Sequence, residues 1–217
     1  MAQNVTLWGR SNSANVQKVL WALAELELDF EHRELGGSFG GLDSPKYLAM
    51  NPNGLVPCLQ DGELAVWESH AILRYLAAAY GELTLWRQNP KERAVVDQWT
   101  DWAATTFQPA WLKLFWLVVR TPQDQQDRAV ISAVTEQLQK ALRILDGQLA
   151  SNDFIAGAAL SYADCAAGNS LYRLFTMGLD LAPFPHVAAW YERLRQRSGF
   201  QRFIMVDYEE LRGRLAF

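Results

Sequence analysis

The chain has 217 residues at 24.6 kDa, half of them hydrophobic, 20% charged and 12% aromatic, with a net charge of −4 and a sequence pI near 5.4. That length suits one large domain or two small ones, and the composition is that of a globular protein with ample apolar surface for a core, not a disordered or low-complexity chain. The acidic balance offers no basic stripe to a phosphate backbone, so no nucleic-acid partner is expected. Polar Ala2, Gln3 and Asn4 precede a short apolar run, and no uninterrupted apolar stretch reaches the roughly 20 residues that span a bilayer, so a cytoplasmic protein without a membrane partner is expected.

Val5-Thr6-Leu7-Trp8 predicts a short strand ending at Gly9. Asn12, Ser13 and Asn15 then offer N-cap side chains to a helix whose Val16, Val19, Leu20, Leu23 and Leu26 follow helical spacing. Phe30 to Leu35 alternates apolar and polar residues as a second strand, completing a β-α-β unit with parallel strands. Gly36 to Gly41 is glycine-rich but lacks any phosphate-loop pattern. Asn51-Pro52-Asn53-Gly54 marks a turn, and Leu55 to Leu59 and Leu64 to Trp67, joined through Asp61-Gly62, predict a hairpin. Pro57 cannot donate to a ladder and predicts an edge or a special position in that hairpin. A helix over Glu68–Tyr80 follows, with Ile72, Leu73, Tyr75 and Leu76 facing inward.

Beyond a linker over Gly81–Pro90 every periodic signal is helical, a change of pattern that places one domain over 1–81 and a second over 90–217. Helices are expected from Lys91 to Val119 with an interruption at Pro109, from Asp124 to Leu149, over 162–178 and over 186–197, with a last turn in Asp207–Leu215. Phe107, Trp111, Phe115 and Trp116 give the first of these an aromatic face that either lines a pocket for a second substrate or packs between helices. Cys58 and Cys165 stand far apart and read as buried thiols, and His32, His70 and His186 are scattered singly, so no metal site is expected.

The most informative stretch is Asn53-Gly54-Leu55-Val56-Pro57 followed by Trp67-Glu68-Ser69. A proline that ends a turn and opens a strand is a candidate cis bond, which turns the backbone groups of Val56 outward to pair with an extended peptide-like ligand. Glu68 and Ser69 open a helix, where unpaired N–H groups and the macrodipole favour an anion. Ser69 can hold a carboxylate and Glu68 an ammonium, which together recognise an amino-acid head group; a helix cap beside a turn proline is the alternative.

Val56-Pro57, Glu68-Ser69, the βαβ-ββα order and Ser161-Tyr162-Ala163-Asp164, an S-x-x-D capping box, together resemble the cytosolic glutathione S-transferase family, bacterial serine or asparagine types of theta- or nu-like character, over about residues 4 to 205. The resemblance implies an α/β plus all-α fold, a thioredoxin-like N-terminal domain with an all-helical C-terminal domain. It implies a homodimeric transferase that uses glutathione as co-substrate and activates its thiol for attack on a small apolar electrophile, or for reduction of a peroxide or disulfide. It places Ser13 at the catalytic hydroxyl of serine-type members and Asn15 at the asparagine of nu-like ones, with Ser11 and Asn12 as alternatives. Leu55, Val56, Pro57, Glu68 and Ser69 would hold glutathione, and Phe107, Trp111 and Phe115 would face the acceptor. Leu55 stands where theta-like members often place a lysine, and the loop before it offers Ser38, Phe39 and Lys46, which leaves the hold on the glycyl carboxylate open. A binding or interaction module without turnover is the competing reading. A glutaredoxin-like oxidoreductase would need a cysteine near residues 11 to 15, and none is there.

Overall fold

A computed structural model describes residues 5–82 and 84–215. Residues 1–4, Leu83 and residues 216–217, which fall at the outer ends of the two expected domains and in the expected linker, lie outside the described residues.

Strand β1 (Val5–Trp8) is followed by α1 (Ala14–Glu25), β2 (Phe30–Arg33), a short α2 (Pro45–Met50), β3 (Cys58–Asp61), β4 (Leu64–Trp67) and α3 (Ser69–Tyr80). The sheet order is β2-β1-β3-β4, with β1 and β2 parallel and the other two pairs antiparallel. A helical crossover joins the parallel strands, and it delivers the N-terminus of α1 to the carboxyl end of β1. The expected irregular stretch between β2 and β3 carries α2, which Ser44 caps by accepting from the Tyr47 N–H, with Pro45 in its first turn where a missing N–H costs nothing. Trp67 lies 38% exposed at the end of the edge strand β4.

The remaining helices are α4 (Pro90–Trp102), α5 (Gln108–Phe115), α6 (Arg128–Leu149), α7 (Tyr162–Gly168), α8 (Leu171–Thr176), α9 (Pro185–Arg195) and α10 (Ser198–Phe203). Pro109 does not break the first long segment, because a π-turn over Ala103–Phe107 widens the backbone just ahead of it and the Gln108 N–H reaches back five residues to the Ala103 carbonyl. A second wide turn over Trp116–Arg120 ends the segment. The helix expected over 162–178 is divided at Asn169 and Ser170, and the one expected over 186–197 stops at Arg195 before α10 begins.

Helix α1 is the axis of the molecule. It packs on α3 in its own domain and on α7 and α10 of the helical part, so Val16 to Leu23 are all buried. Trp21 meets the Phe200 ring edge-on at 5.0 Å. That contact requires Gly199, where an added Cβ would come within 3.0 Å of both Ala24 and Trp21. The capping-box carboxylate of Asp164 is fully buried and accepts from the backbone N–H groups of Ser161 at 2.8 Å and Ile155 at 2.9 Å, the Ser161 hydroxyl at 2.9 Å and the Trp190 indole at 3.1 Å. One side chain thus ties together α7, α9 and the loop after α6. Its burial outweighs these donors and pushes the carboxyl up to about 6. Cys58 on β3 and Cys165 on α7 are free, buried thiols, each pushed above its ordinary range by burial. Among the described residues no helix is long and apolar enough to cross a membrane, and no cluster of histidine, cysteine and carboxylate side chains could hold a metal ion.

Candidate active site

Two neighbouring cavities lie where α1 begins. The larger, about 210 Å³, is lined by the loop before α1 (Arg10, Asn12, Ser13), by Asn15, by one face of α5 and by residues of α8 and the C-terminal segment. The smaller, about 60 Å³, is enclosed by Asn15, Asn51, Asn53, Leu55, Val56, Pro57, Glu68 and Ser69. Asn15 is common to both.

The structure therefore gathers Leu55, Val56, Pro57, Glu68 and Ser69 around one cavity. The Val56–Pro57 bond is cis. The Leu55 carbonyl accepts from the Tyr47 hydroxyl at 2.6 Å and the Asn51 amide at 2.7 Å, which anchors the turn, while the Leu55 side chain stays exposed. Glu68 is the N-cap of α3 and holds φ at +67°, a conformation that costs a non-glycine residue on the order of 1 to 3 kcal/mol. Its carboxylate is exposed and Ser69 is buried in the first turn. Of the loop residues offered for a third ligand group, Ser38, Phe39 and Lys46 line neither cavity, and Lys46 sits over the Trp8 ring.

Ser13 is the N-cap of α1, with extended backbone and only 9% exposure, yet its hydroxyl makes no capping bond to the helix. A capping serine ordinarily commits that oxygen to an N–H of the first turn. Here the first-turn N–H groups and the hydroxyl stand together at the rim of the larger cavity, a concentration of donors suited to an anion. Of the two alternatives, the Ser11 N–H donates to Glu34 and the Asn12 amide to Glu210.

Asn15, in the first turn of the helix, is oriented by its neighbours. Its carbonyl oxygen accepts from Gln108 Nε2 at 3.0 Å and lies 3.5 Å from the Ser69 hydroxyl. The carbonyl end is engaged, so the amide nitrogen is the end left to serve a ligand. Gln108 is held in turn by Lys18, whose Nζ donates to Gln108 Oε1 at 2.7 Å and to His70 Nε2 at 2.9 Å. Lys18 is completely buried, and burial pushes its amine down to about 7 against the opposing pull of Glu68 and Cys165. Burial, then the charges of Lys18 and Arg74, push the imidazole of His70 down to about 3, which makes it a neutral acceptor for the amine. His70 is thus part of the site's foundation, whereas His32 bonds to the Gly9 carbonyl on the sheet.

The aromatic face divides. Trp111 and Phe115, stacked at 5.6 Å, line the larger cavity together with Leu112 and Trp116. Phe107 does not: it stacks on Trp102 and packs into the core one turn ahead of Trp111, outside the cavity lining. Sequence reasoning missed Gln108, Lys18 and the arginines Arg10, Arg120 and Arg173 that line the larger cavity. Of these, only the lysine carried a signal, a charge on the otherwise apolar side of α1.

Residues 3–78 match the family described as glutathione S-transferase, N-terminal domain, and residues 107–198 the one described as glutathione S-transferase, C-terminal domain. Glutathione S-transferase GstB of Escherichia coli K12 is 42% identical over 204 residues, covering 93% of this chain and 98% of its own. Glutathione S-transferase 3 of Zea mays is 34% identical over 206 residues, covering 91% and 92%. Among solved structures, a theta class glutathione S-transferase from the citrus canker pathogen Xanthomonas axonopodis pv. citri, with glutathione bound, matches with a TM-score of 0.90 at 44% identity, covering 94% of this chain and 99% of that one. The chain belongs to the glutathione S-transferase family. It is a transferase with glutathione as co-substrate, on a thioredoxin-like N-terminal domain followed by a helical one.

Proposed function

We propose that the smaller cavity holds the γ-glutamyl end of glutathione, that the thiol lies at the junction with the larger cavity, and that the larger cavity receives a small electrophile. The N–H groups that open α3 and the Ser69 hydroxyl meet the γ-glutamyl carboxylate, the exposed Glu68 carboxylate meets its ammonium, and Leu55, Val56 and Pro57 form the wall along the cysteinyl backbone. Ser13 donates its hydroxyl to the sulfur. Asn15, with its carbonyl end bound by Gln108, adds the amide nitrogen. Neither is a base strong enough to remove the proton, so the thiol ionises because its anion is solvated by fixed donors at a helix N-terminus. The thiolate then attacks an electrophilic atom held against Trp111 and Phe115.

The observation that carries this reading is the hydroxyl of Ser13, a buried capping residue that does not cap. Transfer of glutathione to a chloronitroarene, followed by absorbance in wild-type protein and in Ser13→Ala, tests it. Loss of one donor to a developing charge of about 1.5 to 3 kcal/mol predicts a fall in rate of roughly tenfold to a hundredfold; an unaltered rate contradicts it.

The protein acts in the cytoplasm as a homodimer, with the sheet domain of one copy against the long helices of the other. The apolar side chains exposed along that path, Leu64 and Trp67 on β4 and Val95 on α4, support the arrangement. Sedimentation should give twice the 24.6 kDa chain mass.

A further inference from the structure

The larger cavity is not the apolar pocket that a small hydrophobic electrophile calls for. Arg10, Arg120 and Arg173 line it from three separate parts of the chain, facing the same space as Ser13 and Asn15, and among the described residues no carboxylate side chain lines it. Arg173 is the most telling. It is 3% exposed, its terminal nitrogen is bonded to the Asn12 carbonyl at 2.9 Å and to Gln17 at 3.2 Å, both uncharged, and its Nε is buried without a hydrogen-bond partner. Its guanidinium also lies over the Phe115 ring at 5.2 Å. Arg120, equally buried, lies over the Trp116 ring at 3.9 Å and donates to the Arg214 carbonyl. Burial pushes Arg173 down to about 10, with Tyr208 and Glu210 pulling it back up and Arg10 and Arg120 pressing it further down, and burial followed by the charge of Arg10 lowers Arg120. The nearby carboxylates Glu34 and Glu210 accept from the Ser11 N–H and the Asn12 amide and also draw Arg10 and Arg173, respectively, back up against burial, but neither lines the cavity.

Three guanidinium groups around one cavity, with no carboxylate among its described lining residues, favour the entry of an anion. The guanidinium is the side chain best matched to a carboxylate, because its planar fork donates two parallel hydrogen bonds. The stacked Trp111 and Phe115 rings supply a flat apolar wall beside it. Resting on the thiolate site proposed above, we propose that the preferred electrophile is an anionic one, a planar or unsaturated carbon skeleton bearing a carboxylate that the arginines hold while the aromatic wall orients the reacting carbon toward Ser13. For a haloarene the step balances simply. The thiolate sulfur forms a bond to the carbon that bears the halogen, the carbon–halogen bond breaks, its electron pair leaves with the halide, and the carboxylate takes no part beyond binding.

The test uses a matched pair of probes, 4-chloro-3,5-dinitrobenzoate and the neutral 4-chloro-3,5-dinitrobenzamide, each with glutathione and the full-length protein. The carboxylate probe should have a kcat/KM at least tenfold higher, and the ratio of the two should fall about tenfold in Arg120→Gln and in Arg10→Gln. Direct binding to the glutathione-loaded wild-type protein, by calorimetry with 3,5-dinitrobenzoate and 3,5-dinitrobenzamide, gives the same comparison without any variant. Equal kcat/KM and equal binding for the two members of each pair would overturn the anionic preference while leaving thiol transfer intact. Preferential binding of the carboxylate with no turnover of either chloroarene would support the anion subsite and overturn the thiol-transfer reading beneath it.

Discussion

Gln108 bridges Asn15 and Lys18, two residues one turn apart on α1, by donating to the first at 3.0 Å and accepting from the second at 2.7 Å. Both ends of its amide are therefore fixed, and the order of the bonds runs in one direction from a buried amine to the carbonyl of Asn15. The consequence reaches the site: Asn15 is held with its nitrogen available, and a positive or partly positive group lies beneath the place assigned to the thiolate.

The amine of Lys18 makes stability depend on pH. In the fold it is pushed down to about 7, whereas in the unfolded chain it returns to its ordinary value near 10.5, so between these values the unfolded state binds more protons and stability rises with pH. The contribution is complete above about 10.5 and is lost as the pH falls through 7. Lys18→Met, which keeps the length and removes the amine, should lack this rise. Urea midpoints at pH 7, 8, 9 and 10 should show the wild type gaining on the variant with each step, and a constant difference would show that the buried amine stays charged.

Glu68 and Ser69 predict a shared effect on binding, and Glu68 a separate one on stability. Relieving the positive φ by Glu68→Gly should stabilise the fold by about 1 kcal/mol while weakening glutathione binding, since the strain is kept for the ligand. Ser69→Ala should cost about 1 to 3 kcal/mol of glutathione affinity. Calorimetric titration alongside thermal unfolding separates the two, and unchanged affinity in Ser69→Ala removes that residue from the site.

Asp164 serves four donors in a space closed to water. Asp164→Ala leaves three buried N–H groups without acceptors and should destabilise the protein by about 3 kcal/mol or more at neutral pH, measured by urea unfolding. Asp164→Asn retains an acceptor and should fall between the two.

The parts of the site that could be read from the sequence are those built by adjacent residues. Val56-Pro57, Glu68-Ser69 and the Ser13 cap each lie within a turn or a helix start whose chemistry is local, and the four-residue capping box at Ser161 is equally so. Gln108 was unreadable because its partner is 93 residues away, and the meeting depends on a π-turn that adds a residue to the helix phase ahead of it. Helical spacing grouped Phe107 with Trp111 and Phe115 on one aromatic face, pocket or packing, and its stacking on Trp102, which periodicity does not show, is what keeps it out of the cavity lining. Arg173 reaches the Asn12 carbonyl across 161 residues only because the helix expected over 162–178 divides at Asn169, whose side chain bonds to the Ala14 carbonyl at 2.8 Å. Periodicity detects a helix but not such an interruption, when the contact that marks it reaches into the other domain.

The ionisation of glutathione bound to the protein decides whether Ser13 activates the thiol. Thiolate absorbance of bound glutathione, followed against pH in wild type, Ser13→Ala and Asn15→Ala, reports the thiol pKa at the site itself. The wild-type value should lie well below that of free glutathione, with a rise of about one to two units in Ser13→Ala for the loss of one donor of roughly 1.5 to 3 kcal/mol, and a smaller rise in Asn15→Ala. A thiol pKa that Ser13→Ala leaves unmoved while Asn15→Ala raises it would contradict the assignment and give the role to the amide.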